Sequence, residues 1–200
     1  MERDGGHTPL AAVVLAGGAG RRLGGVDKPG LVIDGSTLLE HALAGVAGAD
    51  PMVVVGPARP TDRPVRWTVE QPPGGGPAAG LAAGLTALGA DFPDHGQVVV
   101  IAADLVGLRP DTVTRLRAAL DDPLAGAVLV DEHGHTQWLT GVWRVGALRA
   151  AMPADAAGLS LRRVLGGLTV ARLAAWPGEV EDVDTPADLA HHRQRPNQGP

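Results

Sequence analysis

The stretch Leu10–Lys28, LAAVVLAGGAGRRLGGVDK, joins six consecutive apolar residues to a long glycine-rich segment. An apolar run that does not alternate with polar residues is typical of a strand buried on both faces, as in a parallel sheet. Ligands of such sheets bind beyond the carboxyl ends of the strands. Glycine lets backbone N–H groups approach an anion closely. The stretch therefore predicts a buried strand that leads into an anion-binding loop.

Further apolar runs and helical patterns follow in alternation. Strands are predicted at MVVV (52–55), VVVIAA (98–103) and AVLV (127–130). A turn that leads into an amphipathic strand is predicted within 130–145, and further strands are predicted at LTVARLAAW (168–176) and EVEDVD (179–184). Helices are predicted within 36–49, 76–90, 109–122 and 186–194, from cap residues, initial prolines and helical spacing of apolar residues. This order predicts an α/β fold, a three-layer α/β/α sandwich with a mostly parallel, Rossmann-like sheet. We expect a single domain over residues 1–195 and a disordered tail over 196–200.

Composition excludes several classes of function. The net charge of −5 and the scarcity of aromatic residues (four tryptophans, one phenylalanine, no tyrosine) disfavour a nucleic-acid-binding protein. The absence of cysteine excludes disulfides, thiolate catalysis and cysteine-ligated zinc. The chain contains no apolar run of the roughly 20 residues that a membrane helix needs. We therefore expect a cytoplasmic protein without a membrane partner.

The glycine-rich loop does not match two familiar phosphate-binding motifs. A dinucleotide fingerprint requires glycine where Leu23 stands, and an ATP-type loop requires Gly-Lys-Ser/Thr, whereas Pro29 follows Lys28 here. Residues 16–28 are numerous enough to wrap a triphosphate. Lys28 is the only lysine, against sixteen arginines. Because its compact ammonium lies on a flexible stem, Lys28 is suited to a tight pocket of phosphate oxygens.

The segment LAGGAGRRLGGVDK, Leu15–Lys28, resembles the signature loop of the molybdenum cofactor guanylyltransferases, which belong to the GT-A-type nucleotidyltransferases, with Leu23 in place of the usual methionine. The resemblance implies that Lys28 binds phosphates and that Arg22 assists catalysis. It also implies nucleotide binding by Leu15, Ala16, Gly17, Gly18 and Gly20. A flexible surface loop is the alternative interpretation.

Two acidic motifs are candidates for binding Mg²⁺. Asp104 directly follows the strand predicted at 98–103, a position suited to a cation that takes one or two carboxylates. The alternative for Asp104 is helix capping. The resemblance implies magnesium and nucleotide binding there, although the family's D-x-P reads Asp104-Leu105-Val106 here. In VEDVDTPADL (180–189), Asp184 is the second candidate ligand, with Asp182 behind it, whereas Thr185 and Asp188 suit a helix start. The family's guanylyltransferases have N-x-N-T-P, and several relatives have D-x-D-T-P.

The other patterns are less specific. The segment EQPPGGGPAAGLAAGL (70–85) resembles the family's G-P-L-x-G region near the nucleobase, which implies nucleotide binding by Glu70 and Gly76; an ordinary glycine/proline loop is the alternative. Three further sets each have a structural and a functional interpretation: His133 and His135 as an exposed turn or metal ligands, Trp138 and Trp143 as core or acceptor-side residues, and Arg162 and Arg163 as a solvated helix face or an anion site.

Together with these patterns, the resemblance implies an enzyme that uses Mg²⁺ to transfer a nucleotide from an NTP, with GTP favoured, to the phosphate of molybdopterin, releasing pyrophosphate. Lys28, Arg22 and Asp104 are its predicted catalytic residues. An already ionised phosphate nucleophile needs no general base, so charge neutralisation and positioning suffice. A related enzyme that uses CTP or another phosphorylated acceptor, and a non-catalytic nucleotide-binding module, are the alternatives. We expect a monomer or a weak homo-oligomer.

Overall fold

A computed structural model describes residues 8–17, 26–183 and 188 of the chain. A seven-stranded sheet forms its centre, and a two-stranded hairpin lies beside it. The strands are β1 (Leu10–Leu15), β2 (Val32–Ile33), β3 (Ser36–Thr37), β4 (Met52–Val55), β5 (Arg66–Thr68), β6 (Gln97–Ala102), β7 (Gly126–Val130), β8 (Thr136–Arg144) and β9 (Val170–Ala174). The central sheet has the order β5-β4-β1-β6-β8-β7-β9, and the hairpin consists of β2 and β3.

Strand direction follows from how the strands are connected. Strands β1, β4, β5 and β6 run parallel, and so do β7 and β9, whereas β8 is antiparallel to both of its neighbours. A short turn between Val130 and Thr136 joins β7 to β8, and a connection of that length returns the chain antiparallel. The predicted mostly parallel sheet is thus confirmed.

Within the described ranges, five α-helices cover the two faces of the sheet. They are α1 (Leu38–Gly45), α2 (Gly76–Leu88), α3 (Pro110–Ala118), α4 (Val145–Ala151) and α5 (Leu161–Leu165). In β1, Ala12 and Val14 belong to the apolar cluster that includes residues of α1 and α3. Ala11 and Val13 belong to the cluster that includes residues of α2, α4 and α5. Burial on both faces explains why β1 does not alternate, and it confirms the three-layer α/β/α architecture.

Local chemistry determines where two of these helices begin and how closely one packs. Thr37 caps α1, since its hydroxyl accepts the N–H of Glu40 at 3.1 Å. A proline occupies the first turn of α2. Helix α2 packs so closely on β1 that a Cβ atom built on Gly84 would lie 2.4 Å from Val13 Cγ1. Glycine at position 84 therefore permits this approach of helix to sheet.

The strand predicted at 179–184 is wrong for the residues described there. Asp182 forms only a single antiparallel bridge, with Leu105, because this segment leaves a turn around Gly178 and meets the loop after β6 instead of the sheet. The short strand β5, the β2–β3 hairpin and α4 were not predicted. The predicted helix at 186–194 lies outside the described residues except for Asp188, which is helical, and the tail at 196–200 lies outside them entirely. Within the described part of the chain, no helix has the length and apolar character to cross a membrane.

Candidate active site

The carboxyl ends of β1, β4, β5 and β6 lie side by side at one edge of the sheet. Backbone hydrogen bonds continue one residue past the strands: Ala16 N–H donates to Val55 O at 2.8 Å, and Ala103 N–H donates to Leu15 O at 2.9 Å. The segments that follow these strands are therefore held next to one another. This is the edge of an open parallel sheet at which ligands bind.

Lys28 and Asp104 meet at this edge although 76 residues separate them in the sequence. Lys28 Nζ lies 2.6 Å from Asp104 Oδ2, and the two side chains are only 15% and 26% exposed. Lys28 begins a short 3-10 helix, Lys28–Gly30, whose Pro29 is buried. Asp104 follows β6, the neighbour of β1. The structure thus places a cation and an acid in direct contact beside the start of the glycine-rich loop.

Glu70 lies between that loop and the second glycine-rich segment. Its Oε1 accepts the N–H of Gly74 at 3.1 Å. A Cβ atom built on Gly17 would lie 3.6 Å from Glu70 Oε2, so the carboxylate also faces the chain after β1. Gly76 opens α2 with a φ of +86°, a conformation that favours glycine. The structure therefore brings the predicted residues Gly17, Glu70 and Gly76 to the same region.

Gly56, which follows β4, was not singled out from the sequence. A Cβ atom there would lie 2.7 Å from the carbonyl oxygen of Ala16. Only glycine permits this approach of the chain after β4 to the chain after β1. The signal available in the sequence was a glycine directly after a buried strand.

Several predicted residues lie outside the described part of the chain, namely Gly18, Gly20, Arg22 and Asp184. The structure does describe Asp182, which bridges Leu105, while Val106 N–H donates to Glu181 O at 3.4 Å. The segment that contains Asp182 therefore runs beside the residue that follows Asp104.

The donor atoms at this edge suit a hard divalent cation. Among residues 8–17, 26–183 and 188, no three or more His, Cys, Asp or Glu side chains gather as a metal site. Mg²⁺ does not require such a group, because it binds through one or two carboxylates and completes its shell with substrate phosphates and water. Asp104 supplies a carboxylate of this kind. Metal binding by Asp104 and by Asp184 stays a prediction.

The three less specific sets all lie within the described residues. Trp143 is fully buried and stacks on Trp138, with ring centroids 6.2 Å apart, so Trp143 is a core residue. His133 and His135 are exposed in the turn between β7 and β8. The carboxylate of Asp131 holds this turn by accepting the backbone N–H groups of both histidines. The N–H of His135 is the main cause of a pKa of Asp131 below its ordinary value of 3.8. Arg162 and Arg163 are exposed on α5.

Sequence reasoning also missed a buried carboxylate in the segment that leads to Asp182. Glu179 is 3% exposed and accepts hydrogen bonds from the Thr112 hydroxyl, from Arg115 Nη2 at 2.7 Å and from the N–H of Trp176 at 2.7 Å. The Arg115 guanidinium lies 3.8 Å from the centre of the Trp176 ring. This network, which we call the Glu179 cluster (Thr112, Arg115, Trp176 and Glu179), joins α3 to the segment after β9. No local sequence pattern predicts the Glu179 cluster.

The chain is similar in sequence to known nucleotidyltransferases. Residues 12–173 match the MobA-like NTP transferase domain family. A molybdenum cofactor guanylyltransferase from Acidiphilium cryptum (strain JF-5) is 35% identical over 176 residues, covering 86% of this chain and 80% of that protein. A molybdenum cofactor guanylyltransferase from Bradyrhizobium sp. (strain ORS 278) is 36% identical over 143 residues, covering 69% and 68%.

Solved structures share the fold at lower identity. Molybdopterin-guanine dinucleotide biosynthesis protein A from Archaeoglobus fulgidus superposes with a TM-score of 0.71 at 19% identity, covering 92% of this chain and 97% of that one. A 4-diphosphocytidyl-2C-methyl-D-erythritol synthase superposes with a TM-score of 0.69 at 17% identity, covering 94% and 98%. The family assignment rests on the match of residues 12–173 to this domain family and on the two guanylyltransferase relatives. The chain belongs to the MobA-like NTP transferase domain family and is a nucleotidyltransferase.

Proposed function

We propose that this enzyme transfers GMP from GTP to the phosphate of molybdopterin and releases pyrophosphate, with Mg²⁺ as its cofactor. The observation that carries the proposal is the contact between Lys28 and Asp104 at the carboxyl edge of the sheet. The choice of substrates is supported by relatives at 35% and 36% identity that are named molybdenum cofactor guanylyltransferase. The fold does not determine which nucleobase is used, since the 4-diphosphocytidyl-2C-methyl-D-erythritol synthase has a similar structure.

The proposed reaction is a substitution at phosphorus. An oxygen of the acceptor's phosphate forms a bond to the α-phosphorus of GTP, the bond from that phosphorus to the bridging oxygen breaks, and pyrophosphate leaves with the electron pair. A phosphate monoester is largely dianionic at pH 7, because its second pKa is about 6. The nucleophile therefore needs no general base, and the protein contributes positioning and charge neutralisation.

Lys28 and Asp104 have complementary roles in this proposal. The ammonium of Lys28 neutralises oxygens of the polyphosphate, including the charge that develops on the leaving pyrophosphate. Asp104 is the carboxylate that would hold Mg²⁺, with Asp184 as the proposed second ligand. When bound, the cation supplies charge neutralisation at phosphate oxygens. Because Lys28 and Asp104 are in contact, a phosphate bound by Lys28 would lie next to the carboxylate of Asp104.

The remaining predicted residues form the proposed cradle of the nucleotide. The chain of Ala16 and Gly17 leaves β1 beside Glu70, which in turn accepts the N–H of Gly74. We propose that the nucleobase lies towards this second glycine-rich segment and the phosphates towards Lys28. Leu15, Gly18, Gly20, Arg22 and Gly76 complete the proposed set.

Pyrophosphate release tests the proposal directly. The purified protein is incubated with molybdopterin, Mg²⁺ and each of GTP, CTP, ATP and UTP in turn. We expect release with GTP, loss of release when Mg²⁺ is chelated, and a nucleotide-linked product in the GTP reaction. Release with CTP alone would identify the cytidylyl alternative. Nucleotide binding without release under every condition would identify a non-catalytic module and refute the proposal.

We also propose one domain over residues 1–195, a cytoplasmic location, and a monomer or weak homo-oligomer. The central sheet includes strands from Leu10 to Ala174, which supports a single folding unit. Light scattering over a range of protein concentrations tests the oligomeric state. A stable assembly that persists at nanomolar concentration would contradict that part of the proposal.

A further inference from the structure

Arg59, in the loop between β4 and β5, contacts the residue that precedes Lys28. Its Nη2 donates to Asp27 Oδ1 at 2.7 Å across 32 residues of sequence. The Arg59 side chain is 15% exposed, whereas that of Asp27 is 60% exposed. No motif in the sequence pairs these two residues. The contact links the chain after β4 to the turn that presents Lys28.

The other side of the Arg59 guanidinium is incompletely bonded. Its Nη1 is buried and has no hydrogen-bond partner in the described part of the chain. Burying a guanidinium without a full set of acceptors costs free energy, and an ion pair with a well-exposed carboxylate returns little of that cost. Net stabilisation of the fold is therefore a poor account of why Arg59 is largely covered and placed against Asp27. A role at the neighbouring site accounts for it better.

The Asp27 carboxylate bonds Arg59 and does not cap its own helix. It occupies the position before the short helix Lys28–Gly30, where an aspartate side chain commonly accepts a backbone N–H. Asp27 makes no such bond. A Cβ atom on Gly30 would lie 2.6 Å from Asp27 Oδ2, so glycine at position 30 leaves room for the carboxylate in this orientation. The geometry favours the contact with Arg59 over capping.

The turn is thus held at two neighbouring points. Asp27 is held by Arg59, from the chain after β4, and Lys28 is held by Asp104, from the chain after β6. The second contact involves the groups that the proposed function assigns to phosphate and metal. When Lys28 turns towards a polyphosphate, the contact between Arg59 and Asp27 still holds the turn, together with the buried Pro29.

We propose that Arg59 is a positioning residue for Lys28 and that it acts through Asp27. This inference rests on the proposed function, because it takes Lys28 to bind the polyphosphate of the nucleotide. Arg59 does not touch substrate in this proposal. Its effect on nucleotide binding and turnover is transmitted by the turn Asp27–Gly30.

The test is a set of variants in the full chain. Arg59→Met removes the charge at similar length, Asp27→Asn removes the acceptor charge, and Lys28→Met removes the group on which both are proposed to act. Arg63→Met is the matched control, since Arg63 lies in the same loop and no salt bridge of its side chain is found among the described residues. Each variant is measured for nucleotide dissociation constant by calorimetry, for kcat and KM in pyrophosphate release, and for thermal midpoint.

Arg59→Met and Asp27→Asn are each expected to weaken nucleotide binding or kcat/KM about tenfold, equivalent to about 1.4 kcal/mol. Their combination is expected to be no worse than either alone, because both break one contact. In the Lys28→Met background, Arg59→Met is expected to change binding and kcat/KM less than twofold. Arg59→Lys is expected to restore part of the loss, and Arg63→Met to resemble the wild type. The thermal midpoint is expected to fall by no more than about 4 °C.

Two results would overturn the inference. One is wild-type binding and turnover in Arg59→Met, and the other is a full tenfold loss that persists in the Lys28→Met background, which would show that Arg59 contacts substrate directly. Failure of the proposed function is distinguishable from either: the wild type would then release no pyrophosphate with GTP and molybdopterin. The calorimetric cycle, with whichever NTP binds the wild type, still tests the inference. If no NTP binds, the inference falls with the proposed function.

Discussion

Removing the carboxylate of Glu179 is expected to destabilise the fold strongly. Glu179 is 3% exposed, and it accepts from the hydroxyl of Thr112, from the guanidinium of Arg115 and from the N–H of Trp176. Glu179→Ala removes this acceptor from the fully buried hydroxyl of Thr112 and from the guanidinium of Arg115, whose side chain is 21% exposed. Breaking a buried charged pair from one side costs about 3–5 kcal/mol. That loss is a large part of a typical stability of about 5–15 kcal/mol.

Two variants at Thr112 separate the parts of this cost. Thr112→Val removes the hydrogen bond to Glu179 and the long one that the hydroxyl accepts from the N–H of Arg109, and it leaves the ion pair with Arg115, so we expect a loss of about 1–2 kcal/mol. Thr112→Ser keeps the hydroxyl, and we expect it to lose less than Thr112→Val. The order of stability should be wild type, Thr112→Ser, Thr112→Val and then Glu179→Ala.

The assay is urea unfolding at pH 7 followed by circular dichroism and by tryptophan fluorescence. Trp176 stacks on Arg115, so the fluorescence includes a reporter inside the Glu179 cluster. Coincident transitions by the two probes and an unchanged m-value would permit direct comparison of free energies. If Glu179→Ala lay within about 1 kcal/mol of the wild type, the reasoning on this cluster would be refuted.

Two other perturbations test packing and electrostatics away from the active site. Gly84→Ala should cost about 1–3 kcal/mol in unfolding free energy, because its Cβ would lie 2.4 Å from Val13 Cγ1. Gly80→Ala, whose Cβ would lie 3.4 Å from Leu15 Cδ2, should be nearly neutral. Equal stability of the two variants in urea would contradict this account of helix packing. The N–H of His135 lowers the pKa of Asp131, so the ionised carboxylate stabilises the turn at pH values above the ordinary pKa of 3.8. This stabilisation is lost as the pH falls through the lower pKa of the native state. An NMR titration of the Asp131 carboxyl with a midpoint at or above 3.8 would contradict this prediction.

The sequence allowed the central strands of the fold to be predicted well, and its edges less well. Strands β1, β4 and β6 are continuous apolar runs because helices cover both faces of the sheet, and that burial leaves a pattern in the chain. Strand β5 has three residues, two of which are Arg66 and Trp67, so it lacks such a pattern. The segment at 179–183 contains valines interspersed with acidic residues, as a strand can, yet Glu179 belongs to the Glu179 cluster and Asp182 forms a bridge with Leu105.

The candidate site shows the same division. Asp104 and Lys28 were recognised from a carboxylate after a buried strand and from a distinctive loop, and the rule that ligands bind at one edge of the sheet predicts that they are near each other. Their direct contact depends on β6 lying next to β1, which strand order alone decides. Arg59 was not predictable in this way, because its contact with Asp27 joins two loops whose sequences contain no shared pattern.

Pyrophosphate release by Lys28→Ala, Asp104→Asn and the double variant, measured across a range of Mg²⁺ concentrations with GTP and molybdopterin, tests most directly whether these two side chains hold one nucleotide. We expect Lys28→Ala to slow turnover by roughly 100- to 1,000-fold, the magnitude associated with removing one preorganised charge stabiliser. We expect Asp104→Asn to need far more Mg²⁺ for its residual activity, and the double variant to lose less than the product of the single effects. Wild-type turnover in Lys28→Ala, or an unchanged Mg²⁺ requirement in Asp104→Asn, would contradict the account.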